Sequence, residues 1–324
     1  MNNIVGVFAG YVMRSRVHGM IVTASCAVLS LLIFPFVFPL SQLSAACVAL
    51  VTLRSGARDG LITIAGATLI TGGLALVSAS QMSMAMDFIL LYIVVIWGPV
   101  WLVSIVLRYT RAMDMALIAA AAMGMLIVVG MHLSIGDLTA WWTQVLTRTF
   151  GPVLQNSQMS AEQGRHMIQG MAVHMTGSLA AGFVLGVMVS VFIARWWQAV
   201  LYNPGGFRKD FHNLRLDGRF ATLSAVIAVA SLLPLEKVTE VSHDIFIVII
   251  AAYMLQGVAL IHSVVAALQM HVAWLVVMYL MIVFLPPMRL LLAAAGYADG
   301  WIDFRPRIRA RAGRIRGKND HDRD

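Results

Sequence analysis

Few side chains in this chain can do chemistry, and those few lie in or beside long apolar runs. Asp87, His132 and His174 stand out first. Placing such groups in lipid is costly, so each is a candidate contact for a small molecule. Each has a plainer reading as well: an interfacial group facing water for Asp87 and His132, a hydrogen-bonded structural histidine for His174. Tyr253 and Gln256 share a helix face three residues apart, and His262 follows. They can bond to a neighbouring helix or line a pocket. Met167, Met171, His174 and Met175 crowd one side of a helix, a set of thioethers and imidazole that suits Cu(I). The chain has 21 Met, however, most of them filler in apolar runs, and no metal is assigned. No HExxH pair, GxSxG elbow or P-loop is present. No catalytic residue and no cofactor is therefore assigned, and the chain does not read as an enzyme. Cys26 and Cys47 fall inside apolar runs and read as small hydrophobes.

The elements that must position these groups follow from composition. The 324 residues are 60% hydrophobic and only 12% charged. A water-soluble protein of this length needs a more polar surface, so lipid is the medium. There each backbone N–H and C=O must be satisfied within its own segment, which makes every long run a helix. The runs are Met20 to Leu40, Ser41 to Leu53, Gly60 to Ser80, Met84 to Leu107 with a kink at Pro99, and Met113 to Ile135. Ile168 to Ala194, Phe220 to Leu235, Ile245 to Leu268, His271 to Leu285 and Met288 to Ala298 follow. The expectation is an all-α polytopic membrane protein of about eight to ten segments. Residues 1–304 form one transmembrane domain, and residues 305–324 a basic, disordered cytoplasmic tail.

Arg14, Arg16, Arg54, Arg58, Arg108, Arg111, Arg195, Arg208, Lys209, Arg215 and Arg219 lie in alternate gaps. The positive-inside rule puts those gaps and the N-terminus in the cytoplasm. A return of the chain after Pro286-Pro287 keeps the tail there too. The net charge of +8 reflects this bias and implies no nucleic acid. The basic N-region precedes too long an apolar run for a cleavable signal. Residues 4 to 12 read as an interfacial helix with Ile4, Phe8, Tyr11 and Val12 on one side.

Two connections carry structure. The outer loop 136–167 holds Leu138, Trp141, Trp142, Val145 and Leu146 at helical spacing, is broken at Gly151-Pro152, and restarts at a Ser160/Gln163 capping box. The cytoplasmic loop 195–219 joins an aromatic belt (Trp196, Trp197, Tyr202) to an Asn203-Pro204-Gly205-Gly206 turn and a basic amphipathic stretch beginning at Phe207. Such a loop can anchor the sixth run or dock a partner or anionic lipid. In the sixth run Gly170, His174, Ser178, Gly182, Gly186 and Ser190 recur every four residues and form a small-residue stripe for helix packing. Ala112, Ala116, Ala120 and Gly124 form a similar stripe on the fifth.

The segment ARWWQAVLYNPGGFRKDFHNLRL, residues 194–216, resembles the signature of the YybS-like membrane proteins, the DUF2232 family. GYADGWIDFR at 296–305 and VTLRSGARDG at 51–60 are similar to that family's closing pattern and early cytoplasmic turn. The resemblance implies a bacterial inner-membrane protein distantly similar to the substrate-binding S components of energy-coupling-factor transporters. In such a protein small-residue patches such as Ala45 and Ala49 would meet a coupling subunit.

The leading expectation is S-component-like binding, extending to uptake, of an unidentified small molecule. Asp87, His132, Trp141, Trp142 and His174 would contact it, with the tryptophan helix covering a pocket between the fourth, fifth and sixth runs. The alternative is a non-transporting interaction or assembly factor. It would dock a membrane or cytoplasmic protein through Arg195, Trp196, Trp197, Asn203, Pro204, Gly205, Gly206 and Phe207. Ser178, Gly182, Gly186 and Ser190 would serve helix packing. The topology has a direct test: an alkaline phosphatase fused after Asp324 is expected to be inactive, and a fluorescent protein at the same place bright. The reverse pattern would place the tail outside.

Overall fold

The computed structural model describes residues 2–33, 37–77, 82–155, 160–234 and 236–308. The described residues are mostly helical and contain no strand. In order the helices are α1 (Asn2–Val12), α2 (Arg16–Leu32), α3 (Val37–Ser55), α4 (Ala57–Val77) and α5 (Met82–Leu91). A π segment, Tyr92–Trp97, leads into α6 (Gly98–Thr110), α7 (Met113–Ser134), α8 (Leu138–Gln155), α9 (Ala161–Val173) and α10 (Met175–Tyr202). Then come α11 (Gly206–His212), α12 (Gly218–Ala230), α13 (Glu236–Ala267), α14 (Ala273–Phe284) and α15 (Pro286–Ile302). Contacts group the chain into two compact units, residues 1–120 with 185–214, and residues 121–184 with 215–324.

Among the described residues five helical stretches are long and apolar enough to cross a bilayer: Val37–Ser55, Met86–Thr110, Met113–Ser134, Met175–Tyr202 and Lys237–Ala267. A sixth forms if α14 and α15, bent by 119° at the prolines, count as one. That is compatible with a multi-pass membrane protein and is fewer than the eight to ten segments read from the sequence. Arg16–Ser30 and Gly218–Ala230 are shorter apolar helices. The first run also divides differently. Its helix ends at Leu32, and α3 starts at Val37 and absorbs the second run. The third run corresponds to α4, with residues 78–80 outside the described ones.

In the first unit α3 is the centre. Ala45 to Leu50 are fully buried, with α2, α4 and α6 packed around them. Ala45 and Ala49 are therefore core, and no surface for a coupling subunit. Polar groups here find partners. Ser44 Oγ donates to the Thr23 carbonyl at 2.8 Å and accepts the buried Trp97 indole N–H at 3.0 Å. Pro99 cannot donate to the helix before it, and the chain answers with the π segment, whose last bond runs from Gly98 N–H to Ile93 O. A Cβ on Gly98 would sit 2.7 Å from that oxygen. The N-terminal helix is present, but its buried side is Ala9 and Val12. Phe8 packs edge-on against Trp197 at 5.2 Å, and Ile4 and Tyr11 are exposed.

In the second unit α8 and α9 form a hairpin around Leu138, Trp142, Leu146, Ile168 and Ala172. The helix α8 continues through Gly151-Pro152 to Gln155, against the expected break. Pro152 lies within a turn of the helix end, so only one intrahelical bond is lost. The capping box at Ser160 and Gln163 starts α9 as expected. Helices α13 and α15 cross at Gly257 and Gly296. A Cβ on the first would collide with the Leu292 carbonyl oxygen, and one on the second with that of Tyr253. Only hydrogen fits there, which is how two backbones come into contact in lipid.

Beyond α15 the chain does not leave as a disordered tail at residue 305. Residues 304–308 are helical, and Arg305 is buried against Asp299, itself fully buried, at 3.0 Å. Asp299 also accepts the Phe304 N–H at 3.2 Å and the Gln256 amide at 3.2 Å. Gln256 in turn accepts Leu216 N–H at 3.0 Å, and Arg215 donates to the carbonyls of Asp299 and Gly300. Burial pulls the Arg305 guanidinium below its ordinary value, and the Asp299 charge beside it opposes that shift. Removing one member of such a pair leaves a buried charge alone, at a cost of about 3–5 kcal/mol. Residues 309–324 lie outside the described residues.

The glycine crossing gives a contrast. Gly257→Ala is expected to lower stability in detergent micelles by roughly 1–3 kcal/mol through overpacking. Gly182→Ala, where nothing lies within 4 Å, is expected to be neutral or to gain up to about 1 kcal/mol from helix propensity. Denaturant unfolding followed by circular dichroism measures both.

Candidate functional site

The sixth run is broken where the sequence suggested a continuous stripe. Helix α9 ends at Val173, His174 caps it, and α10 begins at Met175. A new helix start exposes backbone N–H groups with no partner in their own helix. One of them, on Gly177, is met by a side chain from α13: it donates to Asp244 Oδ1 at 3.1 Å. The other carboxylate oxygen of Asp244 faces His132 Nε2 of α7 at 3.0 Å. Asp244 is buried, and His132 is largely so. The carboxylate therefore caps α10 from another helix, where the N-terminal end of the helix dipole favours negative charge. Glycine at 177 permits this approach, because a Cβ there would lie 2.8 Å from Asp244 Oδ1 and 2.9 Å from its Cα.

The same break turns His174 outward. Its ring lies 5.0 Å from that of His243, tilted by 36°, and its side chain is exposed. Imidazoles from α7, the α9–α10 junction and α13 thus lie near the start of α10, and His132 is the one that meets the Asp244 carboxylate. One of the three, His132, is braced by that bond, whereas the His174 ring is exposed and the His243 ring half-buried. One turn away the buried Trp142 donates its indole N–H to Thr176 Oγ1 at 2.8 Å, clasping α8 onto the start of α10. Trp141 meets Trp142 edge-on at 4.4 Å and remains partly exposed.

Of the residues singled out for ligand contact, the structure brings His132, His174 and Trp142 to the start of α10. Trp142 acts as a clasp there. Asp87 lies on α5 in the first unit with an exposed side chain, whereas this group is built from the second unit alone. Asp244, His243, Thr176 and Gly177 were missed. Asp244 stands one residue before the run that begins at Ile245, and α13 starts nine residues earlier than that run, at Glu236. No cluster of three or more His, Cys, Asp or Glu with metal-binding geometry occurs among the described residues.

The packing stripe holds at one end only. Ser178 and Gly182 are exposed, and nothing lies within 4 Å of a Cβ on Gly182. Gly186 and Ser190 do pack, against Gln42 of α3, which accepts the Ser190 hydroxyl. Gly124 of the second stripe packs tightly, but against Ala180 and Val184, a neighbouring face of α10. Ser178, Gly182, Gly186 and Ser190 all lie on the unbroken α10, so the difference along the stripe follows where Gln42 of α3 reaches it.

The loop assigned to partner binding is partly spent on its own fold. Helix α10 runs on to Tyr202, so the belt is helical. Trp197 is buried against Phe8, Arg195 pairs with Asp210 at 2.7 Å, and Phe207 stacks on Phe211. Asn203, Pro204 and Gly205 are exposed, and Gly205 takes φ +84°, a conformation that favours glycine. Gly206 starts α11 beside the Asn203 amide, and Trp196 is half-buried at a cavity shared with Pro204 and Gly205. Elsewhere Gln256 bonds within its unit, Tyr253 lines an apolar cleft of about 500 Å3 with Tyr297, and His262 bonds to the Tyr279 hydroxyl at 2.9 Å.

No protein-family model matches the chain, and the comparisons with curated proteins and with solved structures found no match.

The cap across helices has a measurable weight. Asp244→Ala strands the Gly177 N–H and His132 and is expected to cost about 1–3 kcal/mol for the backbone donor alone. Asp244→Asn, which keeps an acceptor, is expected to lose less. Unfolding of the two variants in the same micelles gives the order.

Proposed function

We propose that this chain is a multi-pass protein of the bacterial inner membrane, with both ends cytoplasmic, that binds a small polar solute in the manner of an S component. The observation that carries the reading is the open pair His174 and His243 beside the braced Asp244–His132 couple. A binding site needs a few convergent polar groups held rigidly in an apolar setting. Asp244 and His132 fix the start of α10, and the exposed His174 with the half-buried His243 beside it presents donors and acceptors at that start. Uptake would follow if a coupling subunit drove release. The basic gaps at 54–58, 108–111 and 195–219 support the assigned orientation. The resemblance of residues 194–216 to the YybS-like family supports the bacterial inner membrane.

One observation favours a second reading, docking of a protein partner. The exposed Asn203-Pro204-Gly205 turn borders a cavity of about 840 Å3 lined also by Val7, Trp196 and Phe207. A rigid turn beside an open hollow is a shape that a partner segment can fill.

Native mass spectrometry of protein purified from its own membrane separates the two. Solute binding predicts an adduct of small mass on the wild type, lost in His174→Ala and in His243→Ala but kept in Asn203→Ala. A ligand-free wild type, or adducts that survive both histidine changes, would overturn the first reading. Loss of a stoichiometric protein partner in Asn203→Ala would then favour the second.

A further inference from the structure

Three helices of the first unit end at one place. The last turns of α3 and α6, the cap after α6 and the last two turns of α10 bring Arg54, Arg108, Arg111 and Arg195 to the wall of a single cavity of about 640 Å3, with Gln198 and Tyr202 beside them. Helix ends at a common site put it at one level of the membrane, and helices of spanning length end where the headgroups lie. Four guanidinium groups face one acid, Asp210, on the same wall.

Two of the four are committed. Arg195 pairs with Asp210 at 2.7 Å, and Arg108 donates to the Leu53 carbonyl at 2.5 Å, satisfying the C-terminal end of α3. The other two have no acidic partner among the described residues. Arg54 lies over the Tyr202 ring, 4.2 Å from its centroid, an arrangement that leaves its N–H edge open. Arg111 closes α6 in the left-handed region at φ 55°, a conformation that a residue with a Cβ rarely adopts. The carbonyl ends of three helices offset part of the positive charge. Arg54 and Arg111 keep theirs, and a concave wall concentrates that field. Planar N–H forks in pairs are the group that recognises phosphate oxygens two at a time.

We propose that this cavity binds a phosphate group, with Arg54 and Arg111 as its contacts and Arg108 and Arg195 as the frame. The site is separate from the histidine group and does not depend on it. At headgroup depth the source of the phosphate is an anionic lipid, and a soluble phosphate can reach the same groups from water.

The test uses the full chain in detergent, titrated with phosphatidylglycerol, cardiolipin, phosphatidylcholine or inorganic phosphate. Thermal stability and native mass spectrometry are the readouts. Anionic lipid is expected to bind and stabilise where phosphatidylcholine does not, and Arg54→Gln or Arg111→Gly to weaken that binding about fivefold each. Arg111→Gly suits the left-handed backbone, so the variant is expected to fold as well as the wild type without ligand. Competition by inorganic phosphate at millimolar concentration would assign the site to a soluble phosphate compound, and its failure to compete would assign it to lipid. Equal binding of anionic and zwitterionic lipid with no effect of phosphate, or unchanged affinity in both variants, would overturn the proposal.

Discussion

Where no water reaches, a backbone amide or carbonyl that loses its helical partner must find another within the protein. Most of this chain meets that demand by staying helical. The informative places are those where it does not, because each interruption is repaired by a side chain brought from elsewhere in the sequence. The restart at Met175 is repaired by Asp244. The end of α3 at Ser55 is repaired by Arg108 and Gln198, which both donate to Leu53 O. The stretch past α15 is held by Asp299, Gln256 and Arg215. The π segment repairs itself, by widening the turn until Gly98 reaches Ile93.

These repairs also decide where chemistry is placed. A helix that starts inside the chain offers free N–H groups and a positive dipole end, and the carboxylate drawn there brings a histidine with it. Helices that end together offer free carbonyls, and the guanidinium groups drawn there leave charge to spare. The polar sites of this protein thus collect where helices break or end, and Gln256 reaches one such place from the middle of α13. Close packing follows the same logic. Gly177, Gly257 and Gly296 are needed because another backbone or a carboxylate comes within a Cβ's reach, whereas Gly182 has open space around it.

Much of this was legible in order along the chain. The apolar runs gave the long helices, Pro99 marked the irregularity just before it, and Ser160 with Gln163 marked the start of α9. These are local signals, set by residues within one or two turns of each other. Boundaries fared worse where local cues conflicted. Glu236, Lys237 and Glu240 read as a loop, yet they extend α13, since charged residues are tolerated in a helix that projects from the apolar zone. Pro152 read as a break, yet it sits near enough to the end of α8 to cost a single bond. The stripe from Gly170 to Ser190 was a correct count of spacing, but the helix breaks at His174, and beyond the break spacing does not say where a neighbour lies: Gly186 and Ser190 meet Gln42, whereas Gly182 has open space around it.

Sequence by itself determined that the protein is made of helices suited to lipid, which of its residues are too polar to be ordinary filler, and that arginines cluster in alternate gaps. Composition and periodicity suffice for that, because the demand for satisfied backbone groups acts within each segment. Only the tertiary structure decided which polar residues meet. His132 and Asp244 are 112 positions apart, and Arg54 and Tyr202 belong to different segments of the first unit. No spacing rule links such pairs, since their encounter depends on how helices cross, and the crossings are set by a few glycines and by breaks whose repair comes from distant parts of the chain.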